Sequence, residues 1–74
     1  MTFNDHCIAQ GIELLRDDVK FIKRCLAVHE RKHHKALLTQ YATAWLTGMA
    51  EEPSSIKKQG AGRHAANNLL LGVY

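Results

Sequence analysis

No glycine or proline interrupts the chain between Gly11 and Gly48, and good helix formers dominate this stretch. From Ile8 to Leu26, apolar residues recur at spacings of three and four, which is the period of a helix rather than a strand. The stripe consists of Ile8, Ile12, Leu15, Val19, Ile22 and Leu26, widened by Leu14, Phe21, Cys25 and Val28. The pattern predicts one long N-terminal helix with Asn4 or Asp5 as its N-cap.

The chain length limits what this helix can belong to. With 74 residues, the chain is expected to form a single helical domain over residues 1–74, too small for a barrel enzyme or a two-domain enzyme. Hydrophobic residues make up 46% of the chain, which argues against wholesale disorder. Strand-like alternation is absent. We therefore predict an all-α fold, a small helical hairpin or three-helix bundle with a long N-terminal helix.

A basic run interrupts the apolar stripe, whose next positions are His29 and His33. The run extends over residues 29–35 and contains no glycine or proline that would mark a turn. Helix continuity through at least part of the run is the favoured interpretation. The alternative is a bend or short connection, with a second helix starting near Lys35.

The apolar pattern resumes from Ala36 with Leu37, Leu38, Tyr41, Ala44, Trp45, Leu46 and Met49. Gly48 is a candidate C-terminal cap for this helix, and residues 51–55 form the clearest loop. A last helix is expected from Ser54 or Ser55 to about Leu71, although it could instead begin near Ala61. Within it, one face carries Gly62, Ala66 and Leu70 and another carries Ala61, Ala65 and Leu69, so a second helix could approach closely.

The chain has neither a signal-peptide pattern nor an apolar run long enough to cross a membrane. Its two cysteines, Cys7 and Cys25, are too few for a disulfide framework. We expect a cytoplasmic protein with reduced thiols and no membrane partner. Because so short a chain buries only a small core, the stripe from Ile8 to Leu26 also predicts self-association, most simply as a homodimer.

Histidine and cysteine spacing offers a weak metal-binding pattern. On a straight helix, Cys25, His29 and His33 would share one side, and His6 with Cys7 could add ligands. No known zinc-binding spacing is complete, so buried Cys25 and surface histidines are the simpler interpretation, and no metal or cofactor is predicted. Cys25 and His29 also lack an identifiable oxyanion donor or orienting carboxylate, and we expect no enzymatic activity.

Basic residues form the better functional lead, in a chain with net charge +3. Two clusters are candidates for partner binding: Lys20, Lys23, Arg24, Arg31, Lys32 and Lys35, and then Lys57, Lys58 and Arg63. Such surfaces can hold an acidic protein patch or nucleic acid, although a solvated helix face is the simpler explanation. Tyr41 and Trp45 have the spacing of core residues, but part of this aromatic face could anchor a partner.

Two segments carry a resemblance. Residues 41–53, from Tyr41 through Trp45 to Pro53, and residues 57–67, from Lys57 through Arg63 to Asn67, are similar to small uncharacterised accessory proteins of phages and prophages of Gram-negative bacteria. The resemblance covers residues 30–71 and contains no catalytic motif. It implies a short protein in the host cytoplasm that binds and blocks a host complex, such as nuclease, defence or transcription machinery.

These observations lead to one functional expectation. The chain would act by macromolecular binding, with inhibition of a host protein complex as the first hypothesis. A positively charged chain does not mimic DNA, so inhibition would be steric or directed at an acidic patch. The second hypothesis is a small basic protein that binds DNA or RNA, which steep salt dependence would reveal.

Overall fold

The computed structural model describes residues 2–73, and within this range the chain is all-α, with four helices and no strand. Helix α1 spans Phe3–Ala9, α2 spans Arg16–Ala27, α3 spans Arg31–Glu51 and α4 spans Lys58–Val73. The predicted long N-terminal helix is wrong, because the N-terminal helix has 7 residues and the longest helix is α3, with 21. The all-α class is confirmed.

Helix α1 begins two or three residues earlier than predicted, and a glycine follows its C-cap. Thr2, rather than Asn4 or Asp5, is the N-cap: its hydroxyl accepts from the Asp5 amide, and the Asp5 carboxylate accepts from the Thr2 amide, both at 3.1 Å. At the other end, Gly11 has a φ of +82°. Glycine adopts this backbone conformation without the steric penalty of a side chain.

The backbone hydrogen bonds around Gly11 form a Schellman motif. The Gly11 amide donates to the Ile8 carbonyl at 3.1 Å, and the Ile12 amide donates to the Cys7 carbonyl at 2.8 Å. Ile12 and Cys7 are both buried in the same hydrophobic cluster, in keeping with the hydrophobic contact that accompanies this motif. Residues 10–15 therefore separate α1 from α2 and divide the predicted stripe.

The division changes which stripe residues are buried. Ile12 and Ile22 lie in the core, whereas Ile8 and Leu15 are 64% and 56% exposed. Val19 and Leu26 are half-buried. Because the chain changes direction after α1, apolar residues at helical spacing no longer share one face. The expected homodimer remains a prediction, with Ile8 and Leu15 as exposed apolar residues available to it.

A short connection at residues 28–30 joins α2 to α3, so the favoured interpretation of a continuous helix is wrong. The alternative of a short connection is confirmed, although the second helix starts at Arg31 rather than near Lys35. The ring of His34 bridges this connection. Its Nε2 lies 2.8 Å from the Leu26 carbonyl oxygen and 2.9 Å from the His29 carbonyl oxygen. Since a carbonyl oxygen only accepts, Nε2 carries the proton and satisfies one carbonyl in the last turn of α2 and one in the connection.

Helices α3 and α4 form a closely packed antiparallel hairpin. The predicted C-terminal cap at Gly48 is wrong, because Gly48 is buried within α3 and the helix continues to Glu51. A Cβ at position 48 would lie 2.7 Å from the Ala61 carbonyl oxygen, and one at position 62 would lie 2.7 Å from the Trp45 carbonyl oxygen. The close approach expected at Gly62 is thus confirmed, with Gly48 facing it.

Helix α4 begins at Lys58, between the two predicted starting points at Ser54–Ser55 and Ala61. The loop before it covers residues 52–57, close to the predicted 51–55. Gly62, Ala66 and Leu70 are all buried, which confirms the small-residue face of α4. One hydrophobic cluster joins all four helices; its members are Cys7, Ile12, Ile22, Cys25, Tyr41, Ala42, Trp45, Ala66 and Leu70.

Candidate interaction surface

The first predicted basic cluster lies on the outside of α2 and on the first turns of α3. We call it the α2–α3 cation cluster; all its members, Lys20, Lys23, Arg24, Arg31, Lys32 and Lys35, are exposed. Lys32 forms an ion pair with Glu30 at 3.3 Å, with both side chains about 70% exposed. Such an exposed pair contributes little to stability. The other five cations form no ion pair with residues 2–73.

Arg16 extends this surface, although it is not among the residues that the sequence predicts. It is the first residue of α2, is exposed, and precedes Lys20 by four positions and Lys23 by seven. Those spacings place the three side chains on one face of a helix. The sequence could have indicated Arg16 as part of this surface only if the start of α2 at this position had been known.

The second predicted basic cluster is divided by the fold. Lys57 is exposed, but Lys58 Nζ donates to the carbonyl oxygens of Met49 and Glu52, each at 2.9 Å. Arg63 forms an ion pair with Asp18, Nε to Oδ2 at 2.9 Å. Lys58 therefore stabilises the end of α3 and Arg63 joins α4 to α2, which leaves Lys57 as the member of this cluster that is free for a partner.

Tyr41 and Trp45 are part of the core. Tyr41 and Trp45 are both 0% exposed, their ring centroids are 5.9 Å apart, and the Tyr41 hydroxyl donates to Asn67 Oδ1 at 3.0 Å. Burial, with the nearby Asp18 carboxylate adding to it, raises the pKa of Tyr41. Core packing of both residues is confirmed, and neither ring can contact a partner in this fold.

Gln59 has a structural role that the sequence gives no reason to expect. Its Oε1 accepts from Trp45 Nε1 and from the Glu13 amide, each at 3.0 Å, and its Nε2 donates to the Gly11 carbonyl at 2.7 Å. This side chain satisfies the backbone of the α1–α2 connection and the indole of α3 together. It fixes α1 and α2 relative to the hairpin, which positions the surface described next.

A basic groove of about 550 Å³ lies between the start of α1 and the first turns of α3. Arg31, Lys35, His6 and His34 line it together with Phe3, and no carboxylate is among its lining residues. The nearest described acid on α1, Asp5, is engaged in the N-cap with Thr2. The groove is therefore suited to a negatively charged ligand group.

An apolar groove of about 240 Å³ adjoins it on the α2 side. Its apolar lining residues are Phe3, Leu14, Val19, Ile22, Leu26 and Leu38, and Lys23 lies at its margin. Thr2, Phe3 and Leu38 line both grooves, so the two are adjacent. We call the combined depression the Phe3 cleft.

The histidine and cysteine residues of the weak metal pattern are separated. Cys25 is buried in α2, whereas His29 lies in the connection after that helix and His33 is exposed on α3. Within residues 2–73, no group of three or more histidine, cysteine, aspartate or glutamate side chains could hold a metal ion. Burial raises the pKa of the Cys7 and Cys25 thiols, which makes both poor nucleophiles.

None of the helices in the described part of the chain combines the length and the apolar character needed to span a bilayer. Comparison with protein-family models, with curated proteins and with solved structures finds no match for this chain. The α2–α3 cation cluster and the Phe3 cleft are therefore the candidate binding surfaces of this chain.

Proposed function

We propose that this chain is a small phage-type accessory protein that acts in the host cytoplasm by binding and inhibiting a host protein complex. Nuclease, defence and transcription machinery are the target classes that the resemblance of residues 30–71 implies. We expect the chain to recognise an acidic surface of the target protein. Binding would occur through the α2–α3 cation cluster and would block the target sterically.

The observation that supports this proposal is that five exposed cations of the cluster form no ion pair within the part of the chain that the structure describes. Lys20, Lys23, Arg24, Arg31 and Lys35 are exposed and form no ion pair with a carboxylate of residues 2–73, whereas Lys58 and Arg63 are engaged within the fold. Unpaired cations concentrated on two adjacent helices create a positive potential that attracts an acidic partner and increases its association rate.

Affinity purification from a Gram-negative host tests the proposal. The wild-type chain is compared with a Lys20→Glu, Lys23→Glu, Arg24→Glu variant, whose exposed substitutions should leave folding intact. We expect a host complex to co-purify with the wild-type chain, to be lost with the variant, and to be inhibited when the purified components are mixed. Equal recovery with both chains would contradict a role for the cations of α2.

A second candidate, binding to DNA or RNA, is favoured by the connection between α2 and α3. Three residues, 28–30, join the two helices, and the first turns of α3 expose Arg31, Lys32, His33 and Lys35. Helix-turn-helix proteins present the N-terminal residues of their second helix to DNA in a comparable order. The sequence does not show a helix-turn-helix pattern, because no glycine marks a turn between the two helices.

Electrophoretic mobility shift at low salt distinguishes the two candidates. If the chain binds nucleic acid, duplex or single-stranded DNA should be shifted, and affinity should fall steeply as salt increases. Failure to shift duplex DNA, single-stranded DNA and RNA at low salt would exclude the second candidate. The protein-binding proposal would then be tested by the affinity purification alone.

A further inference from the structure

The Phe3 cleft combines two chemistries that the cation cluster alone does not have. Its α3 side presents Arg31 and Lys35 over the basic groove, and its α2 side is an apolar groove containing Val19 and Leu26. Phe3 and Leu38 are half-buried between the two halves. A ligand that fills the whole cleft must therefore carry negative charge beside an apolar group.

The dimensions favour a side chain as the apolar group. The apolar groove measures about 240 Å³, and a protein cavity of about 150 Å³ is enough to hold a benzene ring. A single leucine or phenylalanine side chain would fit. Burying it would remove apolar surface of both partners from water, which is the main source of affinity in most protein interfaces.

The arrangement of charge favours a peptide as the ligand. Arg31 and Lys35 are four residues apart on α3 and line the basic groove, whereas Lys23 lines the apolar groove. Cations at separate points of the cleft match several carboxylates at intervals along a chain. A fatty acid has one carboxylate and would neutralise one of these positions, and a nucleic acid backbone would leave the apolar groove unfilled.

We propose that the Phe3 cleft is a docking site for an acidic amphipathic segment of a partner protein, with one leucine- or phenylalanine-sized side chain in the apolar groove and carboxylates over Arg31 and Lys35. This inference rests on the proposed function and names the part of the partner that is bound. The anchor side chain gives the specificity, and the carboxylates orient the segment along α3.

Selection from a displayed library of random peptides, with the purified full chain as the target, tests the docking site. We expect the enriched peptides to be acidic and to share one large apolar residue. Replacing that residue with alanine, or the acidic residues with glutamine, should each weaken binding by about tenfold or more. Chemical-shift changes in the labelled protein should be concentrated at Phe3, Val19, Leu26, Arg31, Lys35 and Leu38.

A pair of charge-matched variants locates the site. Arg31→Glu with Lys35→Glu changes the cleft, while Lys20→Glu with Arg24→Glu makes the same charge change at exposed positions of α2 that do not line it. We expect the first variant to weaken peptide binding by about tenfold or more and the second by about threefold or less, because charges outside the contact act mainly through long-range attraction.

The outcomes separate this inference from the proposed function. Equal weakening by both variants, enriched peptides without an apolar anchor, or no enrichment at all would overturn the docking site. The proposed function would still stand if the Lys20→Glu, Lys23→Glu, Arg24→Glu variant failed to co-purify a host complex that the wild-type chain retains. Binding of a saturated fatty acid or duplex DNA in competition with the peptides, at equal or higher affinity, would also overturn the assignment to a peptide.

Discussion

The Nε of Arg63 on α4 lies 3.1 and 2.9 Å from the two carboxylate oxygens of Asp18 on α2. Asp18 is 4% exposed, and its Oδ2 also accepts from the Leu15 amide at 2.9 Å. The guanidinium of Arg63 lies 5.1 Å from the centroid of the Trp45 ring. One buried carboxylate thus stabilises the start of α2 and holds a cation from α4 against the core of α3.

Removing the partner of Asp18 should destabilise the fold strongly. Arg63→Met leaves a buried carboxylate without its cation, and we expect a loss of about 2–3 kcal/mol, reduced from the fully buried case because Arg63 is partly exposed. Urea unfolding followed by circular dichroism measures it. Glu30→Gln, which removes the exposed pair with Lys32, is the control and should stay within about 0.5 kcal/mol. Similar values for both variants would contradict a stabilising role for the Asp18–Arg63 pair.

Replacing Gly60 or Gly62 of α4 with alanine should change the stability of the protein in opposite directions. Gly62→Ala places a Cβ against the Trp45 ring and carbonyl, so thermal stability should fall. A Cβ at position 60 meets nothing within 4 Å, and Gly60→Ala should stabilise the protein by about 0.5–1 kcal/mol through lower entropy of the unfolded chain. Thermal melts of the two variants provide the test. An increase in melting temperature for Gly62→Ala would show that α3 and α4 are not in close contact there.

His34 should contribute more to stability than its neighbour His33. His34→Ala leaves the Leu26 and His29 carbonyls without their shared donor, and we expect a loss of about 1 kcal/mol. His33 is exposed, and His33→Ala should change stability by less than about 0.5 kcal/mol. Chemical denaturation at pH 7.5 of both variants measures the difference. Equal effects would argue against His34 as the cap of α2.

Stability should decrease in alkaline solution because of the two thiols. Burial raises the pKa of Cys7 and Cys25 above the ordinary value of 9.0, and Arg24 partly opposes the shift at Cys25. The folded chain retains thiol protons that the unfolded chain releases, so the free energy of unfolding is unaffected well below pH 9 and falls as the pH rises above about 9. Tyr41, with its pKa also raised, adds a decrease in the same direction at higher pH.

Urea unfolding at pH 7.5 and 9.5 measures this decrease. A Cys7→Ala, Cys25→Ala variant should be less stable at the lower pH but show a smaller difference between the two. Both thiols should react with a disulfide reagent much more slowly in the folded chain than in urea, because both are 0% exposed. Rapid reaction without denaturant would show that one of these residues is accessible.

Much of the second half of the chain could be predicted from local pattern. Tyr41 and Trp45 have helical spacing with other apolar residues and are buried together. Gly62, Ala66 and Leu70 recur every four residues and face α3 as expected. These predictions hold because each depends on the period of one helix and on the small volume of the side chains, both of which are visible in the sequence.

The N-terminal half was harder to predict because the same apolar spacing fits one helix or two. Gly11 followed by apolar Ile12 is the local signal for the end of α1. This signal alone does not distinguish one helix from two, and the hydrogen bonds from α4 are needed to end the helix there. Gln59 satisfies the Gly11 carbonyl and the Glu13 amide from 48 and 46 residues away, which offsets the cost of leaving the helix.

The all-α class, the small-residue face of α4 and the abundance of basic residues follow from composition and helical period, both of which are local properties of the chain. Which cations remain free depends on packing between helices, which brings Arg63 to Asp18 and Lys58 to the end of α3, while Arg31 and Lys35 stay exposed beside Phe3. A charge is engaged or available according to the groups within a few ångströms of it, and for Arg63 those groups are distant along the chain.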